Sequence, residues 1–426
     1  MIDSVRKELR SGVSLTYLPS KKFKTGTLGV QLITPLSKKD AAFGALLPSV
    51  LRRGTTRHTD MRSLACALDA LYGASVECTV RKKGENQCLG FLASFIDDAF
   101  VPGGETLLEP IAELLSELLL EPLTKNGRFL PQYVEGEKEN LIETIESILN
   151  DKRDYADMRL LQEMCKDERY GIDKFGTVED VKKITNQTLY RYYRELLSHA
   201  QVEFFYCGSA ALRDVEDVIE RAFALLPRGE IAPIAEADFC SAPEEPRYLH
   251  ESLDITQGKL AMGWRANTPD TAAMMLTNVL FGGYSNSKLF LNVREKLSLC
   301  YYASSSYHRS KGLVTVSSGI EFADYERALS EIFAQLEAIR NGEIEPWEIE
   351  GAKSCLISAI RSREDSTGRL EEYYLGQAAT GLFESADVLM NDLAAVDLPR
   401  IQDCARAMVL DTVYFLTGKE EQHEEN

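Results

Sequence analysis

Residues 43–55 read Phe-Gly-Ala-Leu-Leu-Pro-Ser-Val-Leu-Arg-Arg-Gly-Thr, a mainly apolar segment that ends in Gly54 and Thr55. The spacing of its apolar residues predicts a helix over 39–53. Pro48 interrupts this pattern, because proline has no backbone N–H to donate to the preceding turn. A proline inside an otherwise apolar helix is unusual, and it makes this segment the reference point for the rest of the chain.

The flanking sequence places this helix in a mixed α and β domain. Before it, the alternating residues GTLGVQLITP predict a strand over 26–35. After it, leucines at helical spacing predict a second helix over 59–71, with Thr59 as its N-cap. Two further alternating runs, over 74–81 and 87–95, predict a β-hairpin.

The same order of elements returns about 230 residues later. A strand, two helices and a hairpin are predicted there, over 259–265, 271–281, 288–297, 300–307 and 313–320. Residues 228–246 lack periodicity and are rich in prolines and acids, so they are predicted to be a linker. Duplication explains the shared order better than coincidence does. We therefore predict an α+β fold of two duplicated domains, 1–227 and 247–426, each a largely antiparallel sheet with helices packed on one face, like half of a clam shell.

Composition excludes several classes of protein. Among 426 residues, 66 acidic and 48 basic side chains give a net charge of −18, which disfavours nucleic-acid binding. The segment 1–12 has no apolar stretch typical of a signal peptide, and no later stretch is apolar enough to span a membrane. The nine cysteines are scattered without a C-x-x-C pair, as is typical of reduced thiols in the cytoplasm.

Few residues in the sequence could bind a metal ion. The five histidines, His58, His199, His250, His308 and His423, are too far apart for any two to share a helix face. Glu139, Glu143 and Glu146 do fall on one face of a helix predicted over 131–152. Such a row of carboxylates is usually a solvated surface, with a hard cation as the alternative.

Three segments resemble a known family. They are residues 43–55, residues 282–290 (GGYSNSKLF) and residues 293–302 (VREKLSLCYY). Together with the duplicated halves, they resemble the pitrilysin/insulinase zinc peptidases over nearly the whole chain. Within that family the chain looks closest to the zinc-free bacterial YmfF-like branch, which is related to the subunits of mitochondrial processing peptidase.

The resemblance implies that the zinc site has been lost. Active relatives carry His-x-x-Glu-His before Gly-Thr, and counting back from Gly54 places the two histidines at Ala45 and Ser49 and the general base at Pro48. The third ligand, a glutamate of the relatives, falls on Thr144. Glu143 is one residue away, about 100° around the helix. The resemblance therefore implies no metal and no cofactor in this chain, with zinc expected in a partner subunit.

The second half keeps a different part of the family's site. Active relatives place an arginine, and seven residues later a tyrosine, opposite the zinc, where they bind the substrate carbonyl. Arg294 and Tyr301 match that spacing. Both side chains can donate hydrogen bonds to a developing oxyanion, although either could instead have a structural role.

The resemblance implies a non-zinc subunit of a heterodimeric metallopeptidase, which closes a peptide chamber and supplies Arg294 and Tyr301. A homologous zinc-binding subunit is the expected partner and a peptide is the expected substrate, with a homodimer as an alternative assembly. The resemblance also implies a link to elongation factor P modification. Two other functions stay open: an inactive peptide-binding or scaffold protein, and an independent enzyme with a site elsewhere.

Charge also differs between the two halves. Residues 236–426 carry 14 of the 18 net negative charges. This half is either an ordinary solvated acidic surface or an acidic wall that attracts basic peptides.

Overall fold

The computed structural model describes residues 4–419. They form two compact units. The first contains the chain up to Glu146, Ile172–Glu236 and Arg363–Phe383, and the second contains Ser147–Gly171, Ala237–Ser362 and the chain from Glu384 onward. The predicted α+β class with two sheets is confirmed. The units are not the contiguous segments 1–227 and 247–426, because a segment of each half belongs to the other unit.

The first unit is built on a six-stranded sheet. Its strands are β1 (Val5–Arg10), β2 (Val13–Pro19), β3 (Thr25–Pro35), β4 (Ser75–Lys83), β5 (Asn86–Ile96) and β6 (Gln201–Gly208). Their order is β1-β2-β6-β3-β5-β4. Only the β2–β6 pair is parallel among these neighbours.

Helices cover this sheet. They are α1 (Ala41–Leu51), α2 (Met61–Ala70), α3 (Leu108–Leu120), α4 (Pro131–Ser147), α6 (Val178–Lys183), α7 (Asn186–His199) and α8 (Leu212–Ala222). Helix α2 begins two residues later than predicted. Asp60, not Thr59, is its N-cap. The Asp60 carboxylate accepts a hydrogen bond from the Ser63 N–H at 2.7 Å, and the Ser63 hydroxyl accepts one from the Asp60 N–H.

The second unit repeats the arrangement with five strands. They are β7 (Arg247–Leu253), β8 (Gly258–Ala266), β9 (Cys300–His308), β10 (Leu313–Ile320) and β11 (Met408–Gly418), in the order β7-β11-β8-β10-β9. Its helices are α5 (Lys152–Met164), α9 (Thr271–Asn278), α10 (Tyr325–Asn341), α11 (Pro346–Ser362), α13 (Ala386–Ala395) and α14 (Leu398–Ala407). The helix predicted over 288–297 is a π-helix, Leu289–Lys296, and a second π segment, Val279–Gly283, follows α9.

A helix from the second half of the chain packs on the second face of the first sheet. This is α12 (Thr367–Thr380). Alternate strand residues such as Val30 and Leu32 face the main core, whereas Ile33 faces α12 and packs with Leu375. Polar contacts add to this packing, since the Asn86 amide donates to the Ala379 carbonyl at 2.8 Å. Helix α12 therefore adds one helix on the sheet face opposite to the main core.

Helix α5, from the first half of the chain, packs on the second sheet in the same way. Leu160 lies against Ala261 and Tyr414, on the sheet face opposite to the main core. Beyond its end, Glu168 pairs with the buried guanidinium of Arg265 at 2.6 Å. Each sheet is thus buried on both faces, and one helix on each comes from the other half of the sequence.

Asp157 of α5 makes the packing of α5 on the second sheet pH-dependent. Burial raises its pKa from 3.8 to about 6, although a hydrogen bond from Ser317 and the charge of Arg153 lower it, while Asp154 and Asp151 raise it further. A carboxyl whose pKa is raised by folding stabilises the protein below its unfolded pKa, and this contribution is lost as pH rises through about 6.

We expect Asp157→Asn to raise the free energy of unfolding by about 2 kcal/mol at pH 8, because it removes a buried charge. At pH 4 the effect should be near zero, since the wild-type carboxyl is then largely protonated in the fold. Urea unfolding at both pH values measures the difference, with the exposed Asp154→Asn as the matched control. An equal gain at both pH values would contradict this explanation.

The remaining global features are simple. All nine cysteines are free thiols. Among residues 4–419, no helix combines the length and the apolar character needed to cross a bilayer. His423 lies outside the described residues.

Candidate functional site

A cavity of about 280 Å³ lies in the first unit between α1, α4 and β4. Ala45 and Ser49, one helical turn apart on α1, line it together with Thr144 of α4. These are three of the positions that the sequence comparison assigned to lost zinc ligands. The structure therefore places them around one space, although they are up to 99 residues apart in the sequence.

Pro48 occupies the general-base position inside α1 and is buried. Its ring offers no group that can accept or donate a proton. Its carbonyl accepts from the Cys78 thiol at 3.4 Å, and Cys78 also lines the cavity. Burial raises the pKa of Cys78 to about 12, so this thiol stays protonated near neutral pH.

Glu137 is the one carboxylate that lines the cavity. It pairs with the Arg53 guanidinium at the end of α1 and accepts from the Asn140 amide at 3.2 Å. Arg53 therefore neutralises its charge. Sequence reasoning did not single out Glu137 as a site residue, although its position seven residues before Thr144 puts both on the same face of α4.

The residues around the cavity do not fit a zinc ion. Zinc sites in proteins use neutral imidazole, thiolate or carboxylate ligands. Here a methyl group and two hydroxyls stand at the ligand positions, and the Thr144 hydroxyl donates to the Asn140 carbonyl at 2.8 Å. Within residues 4–419, no group of three His, Cys, Asp or Glu side chains has the proximity needed to hold a metal ion. Glu139, Glu143 and Glu146 are exposed, as a solvated helix face requires.

Strand β4 forms one wall of the cavity and one edge of the sheet. Its Cys78 and Val80 line the cavity. Among the described strands it pairs only with β5, so the outer side of its backbone has no strand partner. Such an edge can accept an extended peptide as an additional strand.

Arg294 and Tyr301 lie in the second unit. Arg294 is in the last turn of the π-helix, where its guanidinium lies 4.6 Å from the centre of the Phe290 ring and half-exposed. Tyr301 begins β9 with 62% of its surface exposed, and its hydroxyl donates to Glu321 at 2.8 Å. This hydrogen bond raises the pKa of Tyr301, so its hydroxyl remains a donor near neutral pH.

The turn between these two residues has an unusual backbone. Ser298 has a φ of 50°, in the left-handed region that favours glycine. The turn connects a π-helix to the edge strand β9. A π-helical segment and a non-glycine residue in the left-handed region are both frequent at functional sites. Arg294 is half-exposed on its helix, as a structural surface arginine would also be, whereas Tyr301 is not packed in the core, where a structural aromatic residue of a strand would lie.

Comparison with known proteins identifies the family. A family model described as the peptidase M16 inactive domain matches residues 183–356. The chain is 34% identical over 418 residues to a Bacillus subtilis protein named probable inactive metalloprotease YmfF, which covers 97% of this chain and 98% of that protein. The chain belongs to the pitrilysin (M16) family.

Solved structures agree with this M16 assignment. A conserved protein from Enterococcus faecalis V583 has a TM-score of 0.89 at 30% identity and covers 98% of this chain and 99% of that chain. An M16 inactive domain from Pseudomonas fluorescens has a TM-score of 0.79 at 16% identity and covers 98% and 99%. The second likeness shows the fold alone. The resemblance inferred from three short segments is thus confirmed over the whole M16 chain.

Proposed function

We propose that this M16 chain is the non-catalytic subunit of a heterodimeric zinc peptidase. Its first unit has the family fold without the chemistry of a zinc centre. Its second unit supplies Arg294 and Tyr301 to a site whose zinc and general base belong to a homologous partner. The reaction would be peptide-bond hydrolysis by water activated on the partner's zinc.

The cavity carries this proposal. A methyl group, a proline ring and two hydroxyls stand at the four positions required for zinc hydrolysis, and the Glu137 carboxylate is neutralised by Arg53. By contrast, the Arg294 side chain is half-exposed, and the exposed Tyr301 hydroxyl donates to Glu321, a bond that substrate would have to replace. Loss of one half of a site with retention of the other favours a shared active site over an independent one.

The test is to purify the chain alone and together with a zinc-binding homologue from the same organism. Zinc content and cleavage of fluorogenic peptides would be measured for each preparation. We expect neither bound zinc nor cleavage with the single chain, and both with the pair. Cleavage by the single chain would support an independent enzyme instead.

We expect Arg294→Ala and Tyr301→Phe each to lower kcat of the pair by about 100-fold, because each removes one donor to the oxyanion. The complex should stay intact by size-exclusion chromatography. Arg327→Ala, an exposed arginine of α10, is the matched control and should leave kcat unchanged. Unaltered turnover in both variants would make Arg294 and Tyr301 structural.

A second function, peptide binding without hydrolysis, is favoured by the open edge of β4 beside the cavity. An extended peptide would pair with the β4 backbone and place a side chain against Cys78 and Val80. Binding of peptides to the single chain, with chemical-shift changes confined to β4 and α4, would support this function. The proposed link to elongation factor P modification, the cytoplasmic location and the acidic wall stay predictions.

A further inference from the structure

The first sheet has a second open edge, at β1. Five of the six β1 residues are exposed. Among the described strands β1 pairs only with β2, so one side of its backbone is open along its length. An edge of this kind readily pairs with another strand unless charge or shape prevents it.

We propose that two copies of this chain associate through β1, with the two β1 strands antiparallel and Lys7 facing its own copy. The proposal is independent of the proposed peptidase function. A two-fold axis perpendicular to the sheet keeps every side chain on its own face. Two residues that lie directly opposite each other must therefore have residue numbers whose sum is even. This condition leaves few possible registers.

The sequence of β1 favours the register centred on Lys7. It places Arg6, whose partly exposed guanidinium also pairs with Glu203 of its own copy at 2.8 Å, opposite Glu8 of the second copy, twice over, and Val5 opposite Leu9. Both kinds of pair stabilise antiparallel strands. The register centred on Glu8 would instead place Arg6 opposite Arg10 twice, and like charges directly opposite each other are destabilising.

The Lys7 side chains of the two copies do not disfavour this register. The Lys7 ammonium lies 2.8 Å from Glu216 of α8, so each copy neutralises its own charge. Leu9 is a bulge residue without a partner on β2, and Val5 to Glu8 form the regular part of the strand. The three central pairs need only that regular part.

Apolar surface lies on both faces of this edge. On the face of Val5 and Leu9, a cavity of about 280 Å³ is lined by Leu9, Val13 and Phe223. In the register centred on Lys7, Val5 of the second copy comes beside Leu9 and this cavity. On the other face, Phe383 is 55% exposed and its ring centre lies 5.1 Å from the Arg6 guanidinium. The pairing would shield apolar surface on both faces.

The first experiment measures mass against concentration by sedimentation velocity. We expect the wild-type chain to change from monomer to dimer between about 1 and 100 µM, because the interface is small. Glu8→Lys should stay monomeric, because the substitution places two positive charges opposite each other at both Arg6–Glu8 positions. Glu77→Lys, on the opposite edge strand, is the matched control and should dimerise normally. A wild-type chain that is monomeric throughout, or that pairs only with a different protein, would overturn the proposal.

The second experiment tests the register by cross-linking. Directly opposite residues of antiparallel strands have Cα atoms about 4.5–5.5 Å apart, within disulfide range. In a Cys66→Ser background, which removes an exposed thiol, Lys7→Cys should form a disulfide-linked dimer under mild oxidation. Arg10→Cys is the control, because the two Arg10 positions would be about 20 Å apart. Equal cross-linking of both variants would contradict the register.

Discussion

A chain with four substitutions, Ala45→His, Pro48→Glu, Ser49→His and Thr144→Glu, should bind one zinc ion with a Kd below about 1 µM. Positions 45 and 49 are one helical turn apart and already line the same cavity as Thr144. Removal of Pro48 also restores a backbone N–H to the interior of α1. Isothermal titration with zinc measures the affinity, and the wild-type chain should give no signal.

A matched variant tests the assignment of the third ligand. It carries the same changes on α1 but keeps Thr144, so the native carboxylates near that position are Glu143, the neighbour of Thr144, and Glu137, which is paired with Arg53. Glu143 is about 100° around the helix from Thr144. We expect zinc affinity to fall at least about 10-fold in this variant, since one ligand is lost. Equal affinity in the two variants would place the third ligand elsewhere.

The two contiguous halves of the chain, residues 1–227 and 247–419, should not fold when each is produced alone. The first half lacks α12 and therefore exposes Ile33, Cys88 and Phe205 on one face of its sheet. The second half lacks α5 and Glu168, the carboxylate that pairs with both Arg265 and Lys311, so Arg265 keeps only Asp411 as a carboxylate partner. Breaking a buried charge network by removing one partner costs about 3–5 kcal/mol, a large share of the stability of a typical domain.

Circular dichroism and thermal unfolding provide the measurement. Each half alone should show no cooperative transition. The control is co-expression of residues 1–246 with residues 247–419, since together they contain every described element and should form a complex that unfolds cooperatively. A cooperative transition in either half alone would show that the exchanged helices are not essential.

Much of the fold could be predicted from periodicity alone. The hairpin of β9 and β10 and the helix Ala41–Leu51 occur where the alternation and the helical spacing place them. Local patterns could not reveal that β11 lies inside its sheet, between β7 and β8, since this depends on pairing over about 150 residues. They also could not show that α5 and α12 pack on the sheets of the opposite halves, because an amphipathic helix does not specify its partner.

The candidate site was predictable in part. The family resemblance pointed to Ala45, Pro48, Ser49 and Thr144, and Ala45, Ser49 and Thr144 do line one cavity, whereas their assignment as lost zinc ligands stays a prediction. The neutralisation of Glu137 by Arg53 and the protonated state of Cys78 depend on burial and on contacts between elements distant in sequence. The exposure of Arg294 likewise depends on the π-helix. The residue spacing predicted only an ordinary helix in this segment.

Zinc content of the purified single chain tests the central claim most directly. The chain would be incubated with excess zinc, dialysed against metal-free buffer and analysed by plasma mass spectrometry, with the four-substitution variant as the positive control. We predict no stoichiometric zinc in the wild-type chain and one ion per chain in the variant. One tightly bound zinc ion in the wild-type chain would contradict the assignment of Ala45, Pro48, Ser49 and Thr144 as a lost metal site.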